Sequence, residues 1–207
     1  MFTLFGHPLS GNTHKVRLML RAFDLAYREE VVDVTQGEHK QPAHLARNPR
    51  GQLPVLVDAD ERATVNDSQA ILVYLARRFD RAGSWLGATP IAAAQVMAWL
   101  SFAANEIHNG PHLARLHYLL GVPMEIAAVQ RAASDSLALV EQQLARTPYL
   151  AGASLSVADL ACYPCVALAP EGRVSLDAFP ATRAWIGAIQ AAPFHVAMPG
   201  LGAPSPL

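Results

Sequence analysis

The sequence lacks an excess of charge of either sign. It has 16 Lys and Arg residues against 17 Asp and Glu residues, which gives a formal net charge of -1 over 207 residues. A protein that binds nucleic acid through its overall field needs a basic excess, so nucleic acid is not a predicted partner. Charged residues are also few, at 16%, whereas hydrophobic residues make up 52%. That balance excludes an intrinsically disordered chain and predicts a folded protein with a sizeable core.

Cysteine is nearly absent, and so are the features of export and membrane insertion. Cys162 and Cys165 alone cannot form the disulfide framework of a small secreted protein. Residues Met1–Gly11 lack the basic start and long apolar core of a secretory signal. The uncharged stretch Ala82–Asn105 is broken by glycine and proline, and its unbroken part, Ile91–Ala104, has the length of a buried core helix. The sequence therefore predicts a cytoplasmic protein with no membrane partner.

The first 80 residues alternate strand-like and helix-like patterns. The strand-like segments are Phe2–Phe5, Tyr27–Val34, Leu53–Val57 and Ala63–Val65. The helix-like segments are Asn12–Phe23, Pro42–Arg47 and one that begins near Ser68. The order β-α-β-α-β-β-α, with parallel crossovers first and an antiparallel hairpin last, predicts an α/β sandwich.

From Pro90 onward the strand patterns disappear and alanine-rich helical patterns replace them. The periodic segments are Ile91–Tyr118, Met124–Arg146, Val157–Leu168 and Ala181–Ala191. The sequence thus predicts an α/β domain over residues 1–80, a linker over 81–89 and an all-helical bundle over 90–207. Because the linker is short, the two halves are expected to pack closely.

Four motifs follow one another along the chain. They are Ser10-Gly11-Asn12 with Lys15-Val16-Arg17-Leu18, Asn48-Pro49-Arg50-Gly51-Gln52-Leu53-Pro54-Val55-Leu56, Asn66-Asp67-Ser68-Gln69-Ala70-Ile71 with Tyr74-Leu75, and Ser156-Val157-Ala158-Asp159. Over essentially the whole chain, the sequence resembles the cytosolic glutathione S-transferases, and among them bacterial, serine-type or nu-like members. The resemblance implies a thioredoxin-like α/β N-terminal domain that binds glutathione, an all-α helical-bundle C-terminal domain that forms an electrophile pocket, and a homodimer.

The second motif would hold the middle of the glutathione molecule. The family pattern implies a cis bond between Leu53 and Pro54, which turns the Leu53 N–H and C=O outward to pair with the cysteinyl backbone. An ordinary proline at the start of an edge strand is the alternative. Gln52 and Lys40 would add polar contacts, with Lys40 at the glycyl carboxylate, unless Lys40 is only a solvated surface residue.

Asp67 and Ser68 stand where the third predicted helix begins. A helix N-terminus presents free N–H groups and a partial positive charge, which suits the γ-glutamyl carboxylate of glutathione. Asp67 would take the α-ammonium group and Ser68 the carboxylate. Both residues are also favoured helix caps, so a purely structural role is the alternative.

Ser10 is the predicted catalytic residue, and Asn12 is the competing candidate. In the loop between the first strand and the first helix, the Ser10 hydroxyl could donate to a glutathione thiolate. Asn12 matches the asparagine of a Ser/Thr-x-Asn arrangement found in some bacterial members, and either residue could instead be only a helix cap. No Tyr or Cys lies between Phe5 and Val16, so Tyr-based and Cys-based chemistry is not supported there.

A lowered thiol pKa accounts for only a small part of the expected rate enhancement. Lowering the pKa by about two units from about 8.5 raises the thiolate fraction at pH 7 roughly 25-fold. The weaker base then loses roughly eightfold in nucleophilicity, which leaves a net gain of about threefold. Placement of the electrophile beside the sulfur must supply most of the remainder.

The electrophile pocket is expected between the first loop and the long helix that begins near Ile91. The helical candidates, at steps of three, four and three on one face, are Asn105, His108, His112 and Arg115. The loop candidates are His7, Pro8 and Leu9. Gly110-Pro111 is expected to kink this helix. His108 and His112 have a zinc-ligand spacing, but no third ligand is evident and no metal is predicted.

Cys162-Tyr163-Pro164-Cys165 has the C-x-x-C spacing of a redox motif. Such a motif belongs after the first strand of a thioredoxin-like fold, whereas this one lies inside a helix that Ser156 and Asp159 cap. Two buried helical cysteines are therefore the favoured interpretation.

These observations lead to one main hypothesis and two alternatives. The main hypothesis is a glutathione S-transferase that activates the thiolate of glutathione, its co-substrate, for attack on a small hydrophobic electrophile. The first alternative is a glutathione-dependent disulfide or peroxide reductase of the same fold, favoured if Asn12 meets the sulfur. The second is a non-catalytic binding module, against which a complete glutathione site argues.

Overall fold

The computed structural model describes residues 1–201, so residues 202–207, the end of the helical bundle expected over 90–207, lie outside the described part. The first 80 residues fold into four strands and three helices. In chain order they are β1 (Phe2–Gly6), α1 (Gly11–Ala22), β2 (Tyr27–Val31), α2 (Pro42–Leu45), β3 (Val55–Asp58), β4 (Ala63–Asn66) and α3 (Ser68–Phe79). This order is the predicted one.

The four strands form a mixed sheet in the order β2-β1-β3-β4. Strand β1 runs parallel to β2 and antiparallel to β3, and β3 and β4 form the expected antiparallel hairpin. The expectation of parallel crossovers is confirmed for β1-α1-β2 and is wrong for the connection from β2 to β3. Strand β3 begins at the same end of the sheet at which β2 ends, so the chain does not return to the opposite end before it enters β3. Helix α2, with four residues, is also too short for a crossover helix.

The second half is helical, as expected. Its elements are α4 (Pro90–Phe102), a π-helical segment (Ala103–His112), α5 (Leu113–Leu120), α6 (Ile126–Leu144), α7 (Val157–Ala167) and α8 (Pro180–Gln190). Single 3₁₀ turns occur at Glu38–Lys40 and Ala169–Gly172. The predicted fold class, an α/β part followed by a helical bundle, is confirmed. Within residues 1–201, none of the helices combines the length and hydropathy that a membrane crossing requires.

The predicted long helix from Ile91 changes its winding near the middle. The π-helical segment contains Gly110 and Pro111, where the sequence led us to expect a kink. Pro111 has no N–H to donate, which favours a departure from α-helical bonding. Gly110 permits a close approach to α6, because a Cβ at this position would lie 2.8 Å from the Ala133 Cα.

Helix α7 forms the centre of the core and joins the two halves. Its residues are buried from Val157 to Val166, and α1, α3 and α4 pack against it. The expected capping box is present, since Ser156 Oγ accepts from Ala158 N at 3.2 Å and Asp159 Oδ2 accepts from Ser156 N at 2.9 Å. The other carboxylate oxygen of Asp159 accepts from the Trp185 indole N–H at 3.0 Å, which ties α7 to α8.

Candidate active site

A cavity of about 490 Å³ lies where the α/β part meets the helical part. Its walls come from the loop before α1, the segment before β3, the N-terminus of α3, the π-helical segment and α5. The predicted site residues that line it are His7, Leu9, Ser10, Asn12, Gln52, Leu53, Pro54, Asp67, Ser68, His108, His112 and Arg115. Three other predicted site residues within the described chain do not line it: Pro8, Lys40 and Asn105.

Ser10 caps the N-terminus of α1 at the edge of the cavity. Its backbone is extended, and its Oγ accepts a hydrogen bond from Thr13 N at 3.1 Å. A hydroxyl group has two acceptor lone pairs and one proton, so this cap leaves the proton free to donate. The capping role and a donor role toward a ligand are therefore compatible at Ser10.

Asn12 lies where the N-termini of α1 and α3 approach each other. The Ser68 hydroxyl lies 3.5 Å from Asn12 Oδ1 and 2.6 Å from Gln69 Oε1. Since a hydroxyl has one proton, the shorter contact to Gln69 takes it. The contact with Asn12 is correspondingly weak, and the Asn12 amide can turn toward a ligand.

Asp67 caps α3 while it lines the cavity. One carboxylate oxygen accepts from Gln69 N at 2.9 Å and from Ala70 N at 3.3 Å, and the other lies 3.7 Å from Arg50 Nη1. Asp67 has a φ of 77°, a conformation that costs free energy in a non-glycine residue and that is often found at binding sites. The cap leaves part of the carboxylate open to a cationic group.

The peptide bond between Leu53 and Pro54 is cis. Gln52, which precedes Leu53, is held by two hydrogen bonds. Its carbonyl oxygen accepts from Asn48 Nδ2 at 2.9 Å and from His44 Nε2 at 3.1 Å. These two bonds hold the backbone at the cavity wall, while the exposed side chain of Gln52 lines the cavity.

Lys40 does not line the cavity, but it contacts two residues that do, Arg50 and Gly51. Its ammonium group donates to Arg50 O at 3.2 Å and lies across Gly51, where a Cβ would be 2.8 Å from Lys40 Nζ. Its contact with the glycyl carboxylate stays a prediction. Arg50 and His39 line the cavity at this end instead.

Pro8 and Asn105 face solvent and not the cavity. Pro8 lies in an exposed turn in which Ser10 N donates to His7 O at 3.0 Å. Asn105 is exposed and accepts a hydrogen bond from Asn109 Nδ2 at 2.9 Å. Neither residue is therefore brought to the pocket here. For Asn105 the reason is that π-helical bonding puts more residues in each turn, so a step of three no longer returns to the same face.

His108 and His112 stack against each other at the far wall of the cavity. Their ring centroids are 4.9 Å apart. Burial lowers the pKa of His112 to about 3, helped by His108, Lys15 and Arg115, and burial also lowers the pKa of His108. Both rings are therefore neutral at pH 7 and can donate or accept hydrogen bonds. In the described chain, no group of three or more His, Cys, Asp or Glu side chains is arranged to hold a metal.

Arg115 fixes the first loop to the helical part. It is buried, with Nε 2.5 Å from Glu171 Oε2 and Nη1 2.6 Å from Leu9 O. Its remaining nitrogen, Nη2, is buried without a hydrogen-bond partner in the described part of the chain. Arg115 thus lines the cavity and positions the loop that precedes Ser10.

Lys15 and Cys165 line the cavity although the sequence analysis assigned neither to the site. Lys15 is only 1% exposed and makes no ion pair with any described residue. It lies four residues after Gly11, on the same face of α1, and this spacing is the signal that could have identified it. Cys165 is buried, as expected of a helical cysteine, but one side of it faces the cavity.

Comparison with known proteins gives consistent matches along the chain. Residues 9–78 match the family model for the glutathione S-transferase N-terminal domain, and residues 123–188 match the model for the C-terminal domain. Glutathione S-transferase 3 of Zea mays is 36% identical over 202 residues, which are 92% of this chain and 89% of that protein. Disulfide-bond oxidoreductase YfcG of Escherichia coli K12 is 30% identical over 203 residues, 93% of this chain and 92% of that protein.

A solved structure shows a similar fold. The crystal structure of a glutathione S-transferase from Pseudomonas fluorescens Pf-5 superposes with a TM-score of 0.88 at 34% sequence identity. The superposition covers 95% of this chain and 98% of that one. The thioredoxin-like α/β part and the helical part are therefore joined here as they are in that protein.

Proposed function

The chain belongs to the glutathione S-transferase family, and from this premise we propose that it activates the thiol of glutathione for attack on a small electrophile in the same cavity. The observation that carries the proposal is the meeting of two helix N-termini, those of α1 and α3, at one cavity. Helix N-termini stabilise anions, and glutathione offers a γ-glutamyl carboxylate and, when ionised, a thiolate.

The tripeptide would lie along the α/β wall. The γ-glutamyl carboxylate takes the N-terminus of α3 beside Ser68, and the α-ammonium group takes the open side of the Asp67 carboxylate. The backbone N–H and C=O of Leu53 pair with the cysteinyl unit. The glycyl carboxylate lies near Gln52 and Arg50, whose side chains line that end of the cavity.

The sulfur would lie at the N-terminus of α1. The free proton of the Ser10 hydroxyl donates to the thiolate, while Asn12 offers its amide from the other side. The buried ammonium group of Lys15 adds a positive field one turn further along α1. Together these groups favour the ionised form of the thiol.

The electrophile would lie against the helical wall. This wall combines the neutral rings of His108 and His112 with the apolar side chains of Leu116, Leu119 and Leu120. A small hydrophobic molecule fits this lining, and the imidazole N–H groups can donate to a negative charge that develops on it. The cytoplasmic location predicted from the sequence is part of the same proposal.

Substitutions at Ser10 can separate capping from catalysis. Ser10→Gly and Ser10→Ala both remove the hydroxyl, but glycine costs the cap only a few tenths of a kcal/mol, whereas alanine costs about 1 kcal/mol. We expect both variants to lose at least about threefold in kcat/KM at pH 7 with an aryl halide, because the pKa of the bound thiol rises. Ser10→Ala should lose more stability in urea unfolding than Ser10→Gly.

Ser10→Thr, which keeps both the hydroxyl and the cap, is the matched control and should retain activity. Calorimetry with glutathione would verify that each variant still binds the tripeptide. If Ser10→Gly had wild-type kcat/KM at every pH, the hydroxyl would have no part in the chemistry.

Disulfide reduction is the second candidate activity. It is favoured by the similarity to the disulfide-bond oxidoreductase YfcG and by the position of Asn12 at the N-terminus of α1. Turnover of a small disulfide that Asn12→Ala abolishes and Ser10→Gly leaves intact would assign this activity instead. Glutathione binding without turnover of either substrate would indicate a binding module.

We also propose that the protein is a homodimer. A second, more open groove of about 440 Å³ lies between α3 and α4. Its residues are Gln69, Ala70, Val73, Tyr74, Met97, Leu100, Ser101 and Ala104. Met97 is 56% exposed, and a second copy seated on this groove would cover it. Gln69 and Ala104 line both cavities, so the second copy would lie beside the glutathione site.

A further inference from the structure

The two cysteines of α7 are three residues apart but lie in different surroundings. Cys162 is fully buried in the core, with its Sγ 4.0 Å from the Trp99 carbonyl oxygen. Cys165 is 4% exposed, and what remains exposed faces the cavity. Both are free thiols. One chain thus contains a cavity thiol and a matched core thiol on the same helix.

The thiol of Cys165 lies directly beneath the first turn of α1. A Cβ built on Gly11 would be 3.5 Å from Cys165 Sγ, an ordinary van der Waals distance, so this thiol lies close to the turn that Ser10 caps. On its other side, His112 Nδ1 lies 3.9 Å from the sulfur. Cys165 is therefore next to the place where the sulfur of bound glutathione is proposed to lie.

One buried cationic group that lines the cavity, the ammonium group of Lys15, has no anionic partner within the described residues. Arg115 also lines the cavity; its guanidinium is paired with Glu171, but its buried Nη2 donor has no hydrogen-bond partner among the described residues. An unpaired buried cation is costly, so an anionic ligand is expected to enter and stabilise it. Glutathione disulfide, with four carboxylates and two sulfurs, can offer a carboxylate to Lys15 and an acceptor to Arg115 Nη2, and it brings a disulfide bond toward Cys165.

We propose that Cys165 is a redox modification site that reacts with glutathione disulfide bound in the cavity to form a mixed disulfide. The Cys165 sulfur attacks one sulfur of the ligand, a new S–S bond forms, and the S–S bond of the ligand breaks. Cys165 is oxidised, half of the ligand is reduced to glutathione, and the proton of Cys165 passes to the departing thiolate. The inference rests on the proposed function in one respect, namely that the cavity binds glutathione.

The surroundings of Cys165 support the exchange. The exchange releases a glutathione thiolate, and the ammonium group of Lys15 supplies a positive charge to it within the same cavity. Because His112 is neutral at pH 7, its Nδ1, 3.9 Å from Cys165 Sγ, can accept a hydrogen bond from the thiol and orient it. Excess glutathione reverses the reaction by attack on the same S–S bond.

The adduct would regulate the site that it occupies. A glutathionyl group attached to Cys165 fills the cavity in which free glutathione must bind for conjugation. Conjugation would then decrease as the proportion of oxidised glutathione rises, and it would recover when glutathione is restored.

Intact-protein mass spectrometry without reductant tests the proposal. The wild type, Cys165→Ala and Cys162→Ala are incubated with glutathione disulfide, and far-UV circular dichroism confirms that each is folded. We expect one glutathionyl adduct on the wild type and on Cys162→Ala, at a rate that saturates with glutathione disulfide, and none on Cys165→Ala. Added glutathione should remove the adduct.

In a conjugation assay, glutathione disulfide should inhibit the wild type about tenfold or more once the adduct is complete, and Cys165→Ala should lose this progressive inhibition.

Two further measurements separate the possible failures. Calorimetry with glutathione reports whether the cavity binds the tripeptide; binding without any adduct would overturn the modification site and leave the proposed function standing. Absence of binding would overturn both. The adduct rate could instead rise without saturation as glutathione disulfide is added, and hydroxyethyl disulfide could react equally fast. Cys165 would then be only an accessible thiol, and the role of the bound ligand would be overturned. Cys165→Ser provides a second variant should Cys165→Ala not fold.

Discussion

Burial keeps His14 neutral in the folded protein. Both of its ring nitrogens are buried without a hydrogen-bond partner in the described chain, and its ring packs edge to face on His195. Burial, with the charges of Arg17 and His195, lowers the pKa of His14 to about 3. In the unfolded chain the pKa returns to about 6.5. The unfolded state therefore binds more protons between pH 6.5 and 3, and stability decreases as the pH falls through this window.

Replacement of His14 by leucine should weaken this dependence on pH. We expect wild-type unfolding free energy to decrease between pH 7 and pH 5, and His14→Leu to reduce that decrease by about 1–2 kcal/mol. Urea unfolding at the two pH values measures the difference. The remaining decrease would come from other buried histidines such as His112. Equal decreases in both proteins would show that His14 is protonated in the folded state.

Lys15 is expected to act on the bound thiol through its charge. In Lys15→Met the buried ammonium group is replaced by an uncharged side chain of similar length, so the pKa of the bound thiol should rise. The pH profile of kcat/KM should move to higher pH, with a loss of about threefold or more at pH 6.5. The fold should be no less stable, since an unpaired buried charge is removed.

Lys15→Arg keeps the charge and serves as the control for that experiment. Its pH profile should resemble that of the wild type. A wild-type profile in Lys15→Met would mean that the ammonium group does not reach the sulfur.

Single residues could be predicted from the sequence where a local motif defines them. Ser10 at a helix start and Pro54 at a strand start are visible in the motifs, and the cavity contains both. Lys15 and Cys165 were missed because their place at the site depends on α1 packing against α7, about 150 residues away in the chain. The sequence also does not show that the ammonium group of Lys40 bonds Arg50 O.

At the scale of elements, the contact between the π-helical segment and α6 depends on one missing side chain. A Cβ at Gly110 would lie 2.8 Å from Ala133 Cα and 2.9 Å from Ala133 N, so both partners would have to move. We expect Gly110→Ala to destabilise the protein by about 1–3 kcal/mol in urea unfolding. Because His108 and His112 belong to the same segment, its kcat/KM should also fall.

Gly187 is a matched control for this substitution. It lies in α8, and a Cβ at this position meets no atom within 4 Å among the described residues. Gly187→Ala should stabilise the protein by roughly 0.5–1 kcal/mol, because alanine favours the helix. If both variants changed stability equally, the close approach at Gly110 would carry no cost.

Helices and strands were easier to predict than the ways in which they connect. Periodicity places the start of α3 and the strands of the β3-β4 hairpin within about two residues of the observed ones. It cannot reveal π-helical bonding, because the apolar residues from Ile91 onward retain an approximately helical spacing. It also cannot give the direction of β3, which depends on the end of the sheet at which the chain enters that strand.

At the scale of the whole molecule, the groove between α3 and α4 should determine the oligomeric state. Met97→Glu places a charge in this groove, and burying an unpaired charge costs several kcal/mol. We expect the variant to be monomeric at micromolar concentration in size-exclusion chromatography with light scattering, whereas the wild type is dimeric. Leu139→Glu, at a residue of α6 that is 51% exposed and does not line the groove, should remain dimeric. A monomeric wild type would overturn the proposed dimer.

Composition alone predicted the general character of the molecule. Balanced charge, few cysteines and a high hydrophobic fraction indicated a folded chain with a large core, and residues such as Leu4 and Leu160 are fully buried in it. The pocket chemistry could not be predicted in the same way, because the cavity is formed by segments from both halves of the chain. Only the fold brings His112 and Cys165 beside the loop that contains Ser10.

The distribution of aromatic residues has an optical consequence. The three tryptophans, Trp85, Trp99 and Trp185, pack in or against the core, and none is among the described residues that line the cavity. Intrinsic fluorescence of this protein should therefore follow the solvation of the core and remain nearly constant as glutathione enters. A spectroscopist could record unfolding at any ligand concentration without a contribution from occupancy, and would need an added chromophore to observe binding.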